Sequence, residues 1–208
     1  MVNNLSINSK MFEILSLFRS DYSVKLHIRE IARLLKTNHR TILMNLQKLE
    51  EANIFHSEII GKNKLYYLNI NNITTREYIR SAEIVKTIAF LEKHFVFKKF
   101  IDEVLSKIES FPIIIFGSYA KGQEKKDSDV DVFIFSDHYQ YNKEVEKKIL
   151  DFSRKYKLFF QLKKGTHNDF ESGLREKDPL TLEIIKNHVL LNNYEEFIGI
   201  LWRYAHER

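Results

Sequence analysis

The chain has 208 residues, of which 44% are apolar and 29% charged, with a net charge of +5 and no cysteine. This balance excludes a disordered polymer and allows a buried core, in one large or two small domains. The lack of cysteine excludes disulfides and thiolate metal sites, and no apolar run approaches the roughly 20 residues that span a bilayer.

The opening "MVNNLSINSKMFEI" has neither a basic leader nor an apolar centre, so no signal peptide and a cytoplasmic location are expected. Residues 1–72 hold ten Lys/Arg against six Asp/Glu, so +4 of the net +5 lies there. A cationic end of this size suits a polyanionic partner, although a solvated surface has the same composition.

In chain order, Met11, Ile14, Leu15 and Phe18 have the spacing of one helix face, which predicts a helix over Lys10–Phe18. "SVKLHI" reads as a short strand and "REIARLL" as a second helix ended by the turn "KTN". A third helix from His39 to Glu51 turns Ile42, Leu46 and Leu49 inward. The runs "FHSEII" and "LYYLNI" around "GKNK" then read as a hairpin.

That order resembles the winged helix-turn-helix family over Lys10 to Ile70, most specifically in "IREIARLLKTNHRTILMNLQKLEEANIF". The resemblance implies that the third helix lies in the major groove of double-stranded DNA. Its outward arc is Arg40, Met44 and Gln47, flanked by Thr41 and Lys48. Asn38 and His39 fall near a phosphate, and Lys62 and Lys64 at the hairpin tip reach a neighbouring phosphate or the minor groove. Such domains often dimerise over two half-sites, so a homodimer is expected; a protein-contact module is the other reading.

Asn71-Asn72 is a break, and Thr74 with Glu77 has the spacing of a capping box. The following helix carries two apolar stripes: Tyr78, Ala82, Val85 and Ala89, and Ile84, Ile88, Leu91 and Phe95. Both are expected to be buried, in a connecting helix over residues 73–95, at a dimer contact, or in the core of a second domain.

"FKKFIDEVLSKI" reads as an amphipathic helix before Phe111-Pro112 and a buried strand, Ile113–Phe116. Gly117 can take backbone angles denied to other residues, so a phosphate can approach the main chain there. Ser118 opens a short helix in "SYAKG", where unpaired N–H groups attract anions, and Gly122 closes it. A polar loop, Gln123–Ser128, leads to a strand carrying Asp129 and Asp131. Residues two apart on a strand share a face, so the carboxylates converge and favour a divalent cation, Mg²⁺ or Mn²⁺, beside a nucleoside triphosphate.

"GSYAKG" and, ten residues beyond the Gly-Ser pair, "SDVDVFIF" resemble the DNA polymerase beta-like nucleotidyltransferase superfamily, and its minimal branch most closely, over about Phe97 to Leu191. The resemblance implies transfer of NMP from an NTP to an acceptor hydroxyl, releasing pyrophosphate. It implies that Gly117 and Ser118 hold the terminal phosphates and that Asp129 and Asp131 are catalytic and bridge two metals. Lys121 or Lys125 would neutralise phosphate. Active members carry a third carboxylate on the next strand, but "KLFFQLKKG" contains no acid. Phe159, Gln161 and Lys163 share a face there, and Gln161 takes the vacant position. A glutamine coordinates weakly through its carbonyl and cannot accept a proton. Asp151 precedes this strand on a helix and Asp169 follows it.

Further on, Asp178-Pro179 starts a helix, "HVLL" reads as a strand, and Phe197, Ile200, Leu201 and Tyr204 mark a closing helix. Trp202 either stacks a base or packs. The expectation is an α+β chain: a winged helix-turn-helix over 1–72, a connecting helix over 73–95, and a nucleotidyltransferase-like domain over 96–208 with a mixed sheet flanked by helices. In function this reads as a DNA-binding transcriptional regulator that binds Mg-NTP. The alternatives are an active nucleotidyltransferase acting on a protein or RNA, and a non-catalytic scaffold.

Overall fold

The computed structural model describes residues 7–105, 112–135, 137 and 139–208. Among these the chain is α+β, with ten helices and two sheets. It divides into two compact units, 1–85 with 201–208, and 86–200.

In the first unit, α1 (Ser9–Ser16) starts where the Asn8 side chain accepts the Met11 N–H at 3.0 Å. It buries Met11, Ile14 and Leu15, and Phe18 follows in the next turn. The expected strand shrinks to β1 (Leu26–His27), followed by α2 (Ile28–Leu34) and α3 (His39–Glu51). Next come β2 (Phe55–Ile60) and β3 (Asn63–Leu68), antiparallel, with β1 on the other side of β3. The hairpin turn is only Gly61-Lys62, because Asn63 and Lys64 already pair with Ile60 and Ile59. Ile42, Leu46 and Leu49 are buried, and Phe18 meets Phe55 edge-to-face at 4.8 Å. Asn45 is buried too, which apolar spacing does not reveal. Its amide donates to the Thr41 carbonyl at 2.8 Å, and its oxygen accepts from Asn8 at 2.9 Å.

α4 (Ile73–Lys93) departs from expectation at its start and on its buried face. The Asn72 side chain, rather than Thr74, caps the start, accepting the Thr74 N–H at 3.0 Å. The buried face runs through Thr75, Ile79, Ala82, Glu83, Thr87 and Phe90, while Ile84, Val85 and Ile88 stay exposed. Polar groups can occupy that face because each has a partner. Glu83 is ion-paired to Arg19, and Thr87 donates to the Leu190 carbonyl at 2.6 Å. Pairing removes the cost that normally drives polar side chains outward.

The second unit holds α5 (Val96–Glu103), β4 (Ile113–Phe116), α6 (Gly117–Lys121), β5 (Val130–Phe135), α7 (Tyr139–Tyr156) and β6 (Phe160–Gly165). It continues through α8 (His167–Glu176), α9 (Pro179–Lys186), β7 (Val189–Leu190) and most of α10 (Tyr194–His206). The end of the helix expected in "FKKFIDEVLSKI" and Phe111 lie outside the described residues. The sheet order is β6-β5-β4-β7, parallel only between β5 and β6, so the sheet is mixed.

Strand alternation gives β5 two different faces. Val130, Val132 and Ile134 join Ile113 and Ile115 in a core with Phe97 and Phe100 of α5 and Ile149 and Phe152 of α7. Asp131, Phe133 and Phe135 point the other way, where Phe170 of α8 lies 5.4 and 5.3 Å from the two phenylalanine rings. In the first unit, Trp202 packs edge-on to Tyr22 at 5.6 Å and is nearly buried, so it is a packed residue.

Candidate active site

The site begins where β4 ends. Phe116 pairs with Asp131 across the antiparallel β4–β5 ladder, and the chain then turns sharply at Gly117, with φ of +67°. A Cβ on Gly117 would lie 2.1 Å from Oδ2 of Asp131. Only a residue without a side chain lets the turn and the carboxylate share this space. Ser118, half-buried, is the second residue of α6, and no side chain caps the start of that helix. Gly122 ends α6 in the left-handed conformation, and the Gln123 N–H returns to the Ser118 carbonyl at 2.9 Å.

Asp129 lies one residue before β5 and is exposed, rather than on the strand as expected. The short turn ahead of it is fastened by Ser128, whose hydroxyl accepts the Lys125 N–H at 2.8 Å. Asp131 is half-buried. Burial pushes its carboxyl above the usual range, and the charges of Glu183 and Asp129 push it further; Lys163 and Lys121 pull back. Thus Asp129 is close enough to oppose the ionisation of Asp131, a cost that a bound cation relieves.

Gln161 pairs with Asp131 in the parallel register, so it occupies the neighbouring strand position and is exposed. Lys163 follows on the same face. Lys121, at the end of α6, forms an ion pair with Glu183 of α9 at 2.8 Å, and Lys125 is exposed in the loop. Glu183 is the charged neighbour that motif spacing does not find, whereas strand alternation already puts Lys163 on the face of Gln161. α9 is set by Asp178, whose carboxylate accepts the Thr181 N–H at 2.8 Å, with Pro179 at the first position. With Thr181, Ile184 and Ile185 inward, Glu183 falls on the exposed side.

A cavity of about 350 Å³ is lined by Phe133, Gly165, Asp169, Phe170, Ser172 and Thr181 among others. β5 runs from Asp131 to Phe133 and α9 from Glu183 to Thr181, so two elements link the acids to the cavity. The donor set suits a hard cation, since carboxylate oxygens favour Mg²⁺ and Mn²⁺. Among the described residues, however, no three His, Cys, Asp or Glu side chains are gathered closely enough to hold an ion.

In the first unit, Asn38, His39, Arg40, Met44, Gln47 and Lys48 are exposed along α3, and Thr41 is half-buried. The Asn38 oxygen caps α3 by accepting the Thr41 N–H at 2.8 Å. Lys62 is exposed at the hairpin turn, whereas Lys64 is paired with Glu50 at 3.1 Å and lies over the Tyr66 ring.

Residues 97–192 match the family model described as Nucleotidyltransferase domain. This part of the chain is a polymerase-beta-like nucleotidyltransferase domain, and it contains the whole of the cluster around Gly117 and Asp131. No curated protein and no solved structure matched. Among the described residues, no helix is long and apolar enough to cross a membrane.

Proposed function

We propose that the chain transfers a nucleotidyl group from a Mg-bound nucleoside triphosphate to a hydroxyl acceptor on a protein or RNA. The observation that carries this reading is the contact between the Gly117 turn and the Asp131 carboxylate, 2.1 Å from where a Cβ would sit. A backbone turn and a carboxylate oxygen at one point support this reading, because transfer from a metal-bound triphosphate needs both.

Gly117 and Ser118 hold the terminal phosphates, through main-chain N–H groups and the serine hydroxyl, and Lys121 offsets phosphate charge. Asp129 and Asp131 hold Mg²⁺ or Mn²⁺. When bound, the metal offsets the charge that develops on the phosphoryl oxygens and acidifies the attacking hydroxyl. The acceptor hydroxyl gives its proton to solvent and its oxygen bonds to the α-phosphorus, while the bond from the α-phosphorus to the bridging oxygen breaks and pyrophosphate leaves. The cavity between Phe133 of β5 and Thr181 of α9 gives room for the acceptor or the nucleoside.

The test is incubation with α-labelled NTPs, Mg²⁺ and candidate protein and RNA acceptors, comparing wild type with the Asp129→Asn plus Asp131→Asn variant. Label transferred by the wild type alone is expected. Equal label in both, or none in either, overturns transfer.

A second reading is favoured by the exposed α3 face, with Arg40, Gln47 and Lys48 outward. In it the first unit is a winged helix-turn-helix that binds double-stranded DNA, and the chain is a transcriptional regulator, as a homodimer on two half-sites. The two readings are compatible, with the first unit bringing the second to its target.

A further inference from the structure

Paired strands share their faces, so the register of β6 on β5 fixes what stands beside Asp131. Asp131 pairs with Gln161, and Phe133 pairs with Lys163. Phe160 and Leu162 of β6 pack against the apolar core, which leaves Gln161 and Lys163 on the opposite face, that of Asp131. Gly165 agrees with this facing, since a Cβ there would meet the Phe133 ring at 3.2 Å. Strands about 4.8 Å apart that rise about 3.3 Å per residue put the Cα atoms of Lys163 and Asp131 roughly 8 Å apart, a gap that a lysine stem crosses. Gln161 and Lys163 are both exposed, and among the described residues neither side chain makes a hydrogen bond or an ion pair. Other lysines nearby are committed, Lys121 to Glu183 at 2.8 Å and Lys164 to Glu146.

We infer that Lys163 is a phosphate ligand of this site, its ammonium taking triphosphate oxygens that the Gly117 turn leaves uncovered. The inference rests on the proposed Mg-NTP reading and goes beyond it by adding a contact from β6, outside the Gly117–Asp131 motif. A triphosphate carries more negative charge than one divalent cation offsets, and the two aspartates add to the excess. β6 supplies no further acid to hold another cation, and its amide at Gln161 carries no charge, so the ammonium is what this strand offers. Lys121 must leave Glu183 to reach a phosphate, whereas Lys163 gives up no partner. Lys163 also projects from a hydrogen-bonded strand, unlike Lys125 in its loop, and groups on strands are held more exactly than groups on loops.

The experiment is calorimetric titration of the full chain, in Mg²⁺, with the α,β-methylene analogues of the four ribonucleoside triphosphates, which cannot undergo transfer. Lys163→Met should bind the analogue that the wild type prefers at least tenfold more weakly, the loss of one charge-assisted contact. Its melting temperature without nucleotide should match the wild type, because the exposed ammonium has no partner to lose. Lys163→Arg keeps the charge and should bind within threefold of the wild type. A loss below tenfold in Lys163→Met, or a loss in Lys163→Arg as large as in Lys163→Met, overturns the role of Lys163 and leaves nucleotide binding standing. No heat from any analogue on the wild type overturns the underlying reading as well.

Discussion

Asp131 shows how one carboxylate can be costly for the fold and, in the proposed function, needed for the chemistry. Burial and the charges of Glu183 and Asp129 raise its folded-state pKa, so the folded chain holds the proton more tightly than the unfolded chain does. From the ordinary carboxylate value of about 4 up to that raised value, stability falls as pH rises, and above the window the whole loss persists. Asp131→Asn removes this term. The variant should therefore melt higher than wild type at pH 7, and the difference should vanish on acidification below the ordinary carboxylate range. The same substitution should abolish Mn²⁺ uptake. Paired thermal melts across pH check the first part, and an equal or lower melting point for the variant at pH 7 would contradict it. Gly117 makes the complementary point. Its left-handed φ alone costs other residues roughly 1–2 kcal/mol, but the decisive constraint is the Asp131 oxygen where a Cβ would sit.

Among the elements, β5 and α4 carry the main lesson in burial. β5 alternates strictly, so one strand supplies both the apolar core against α5 and α7 and the Asp131 side of the site. In α4 the polar Thr75, Glu83 and Thr87 are buried beside Ile79, Ala82 and Phe90, while Ile84, Val85 and Ile88 are outside, against the usual sorting of side chains. The arrangement depends on pairing, above all on Arg19 with the fully buried Glu83. Breaking a buried pair from one side is far more damaging than replacing both partners, because a buried charge loses its counter-ion. Glu83→Ala should destabilise the first unit by about 3–5 kcal/mol. Urea denaturation followed by the tyrosine and Trp202 signals measures this, and a change below 1 kcal/mol would show that the pair contributes little.

At the scale of the whole molecule, charge and chemistry are unequally shared. Residues 1–72 hold +4 of the net +5, and Gly117, Asp129 and Asp131 lie within residues 97–192. If the first unit binds double-stranded DNA, affinity should fall steeply with salt, by roughly 0.9 log units per tenfold salt for each phosphate contacted. Arg40→Ala and Lys48→Ala should each reduce that slope by about one contact. Fluorescence anisotropy on duplex DNA between low and physiological salt provides the check, and no binding in low salt would remove the DNA reading.

The site motif was legible in the sequence because it is local. A strand, a glycine turn, a short helix and two acids a fixed distance on lie within Ile113 to Phe135, and local spacing decides which of them meet. The apolar faces of α1 and α3 were legible for the same reason, since helical periodicity alone selects Met11, Ile14 and Leu15, or Ile42, Leu46 and Leu49. Spacing was silent where a partner far along the chain sets the outcome. The buried Glu83 is 64 residues from Arg19, and Lys121 is 62 residues from Glu183. Sequence by itself determined the α+β elements and the Gly117–Asp131 motif, through short-range sterics and periodicity. Only the tertiary structure decided that Lys121 pairs with Glu183, that Asp129 lies just outside β5 and that α4 buries Glu83 while leaving Ile84, Val85 and Ile88 exposed. Each of these turns on desolvation and charge pairing between groups that only folding brings together.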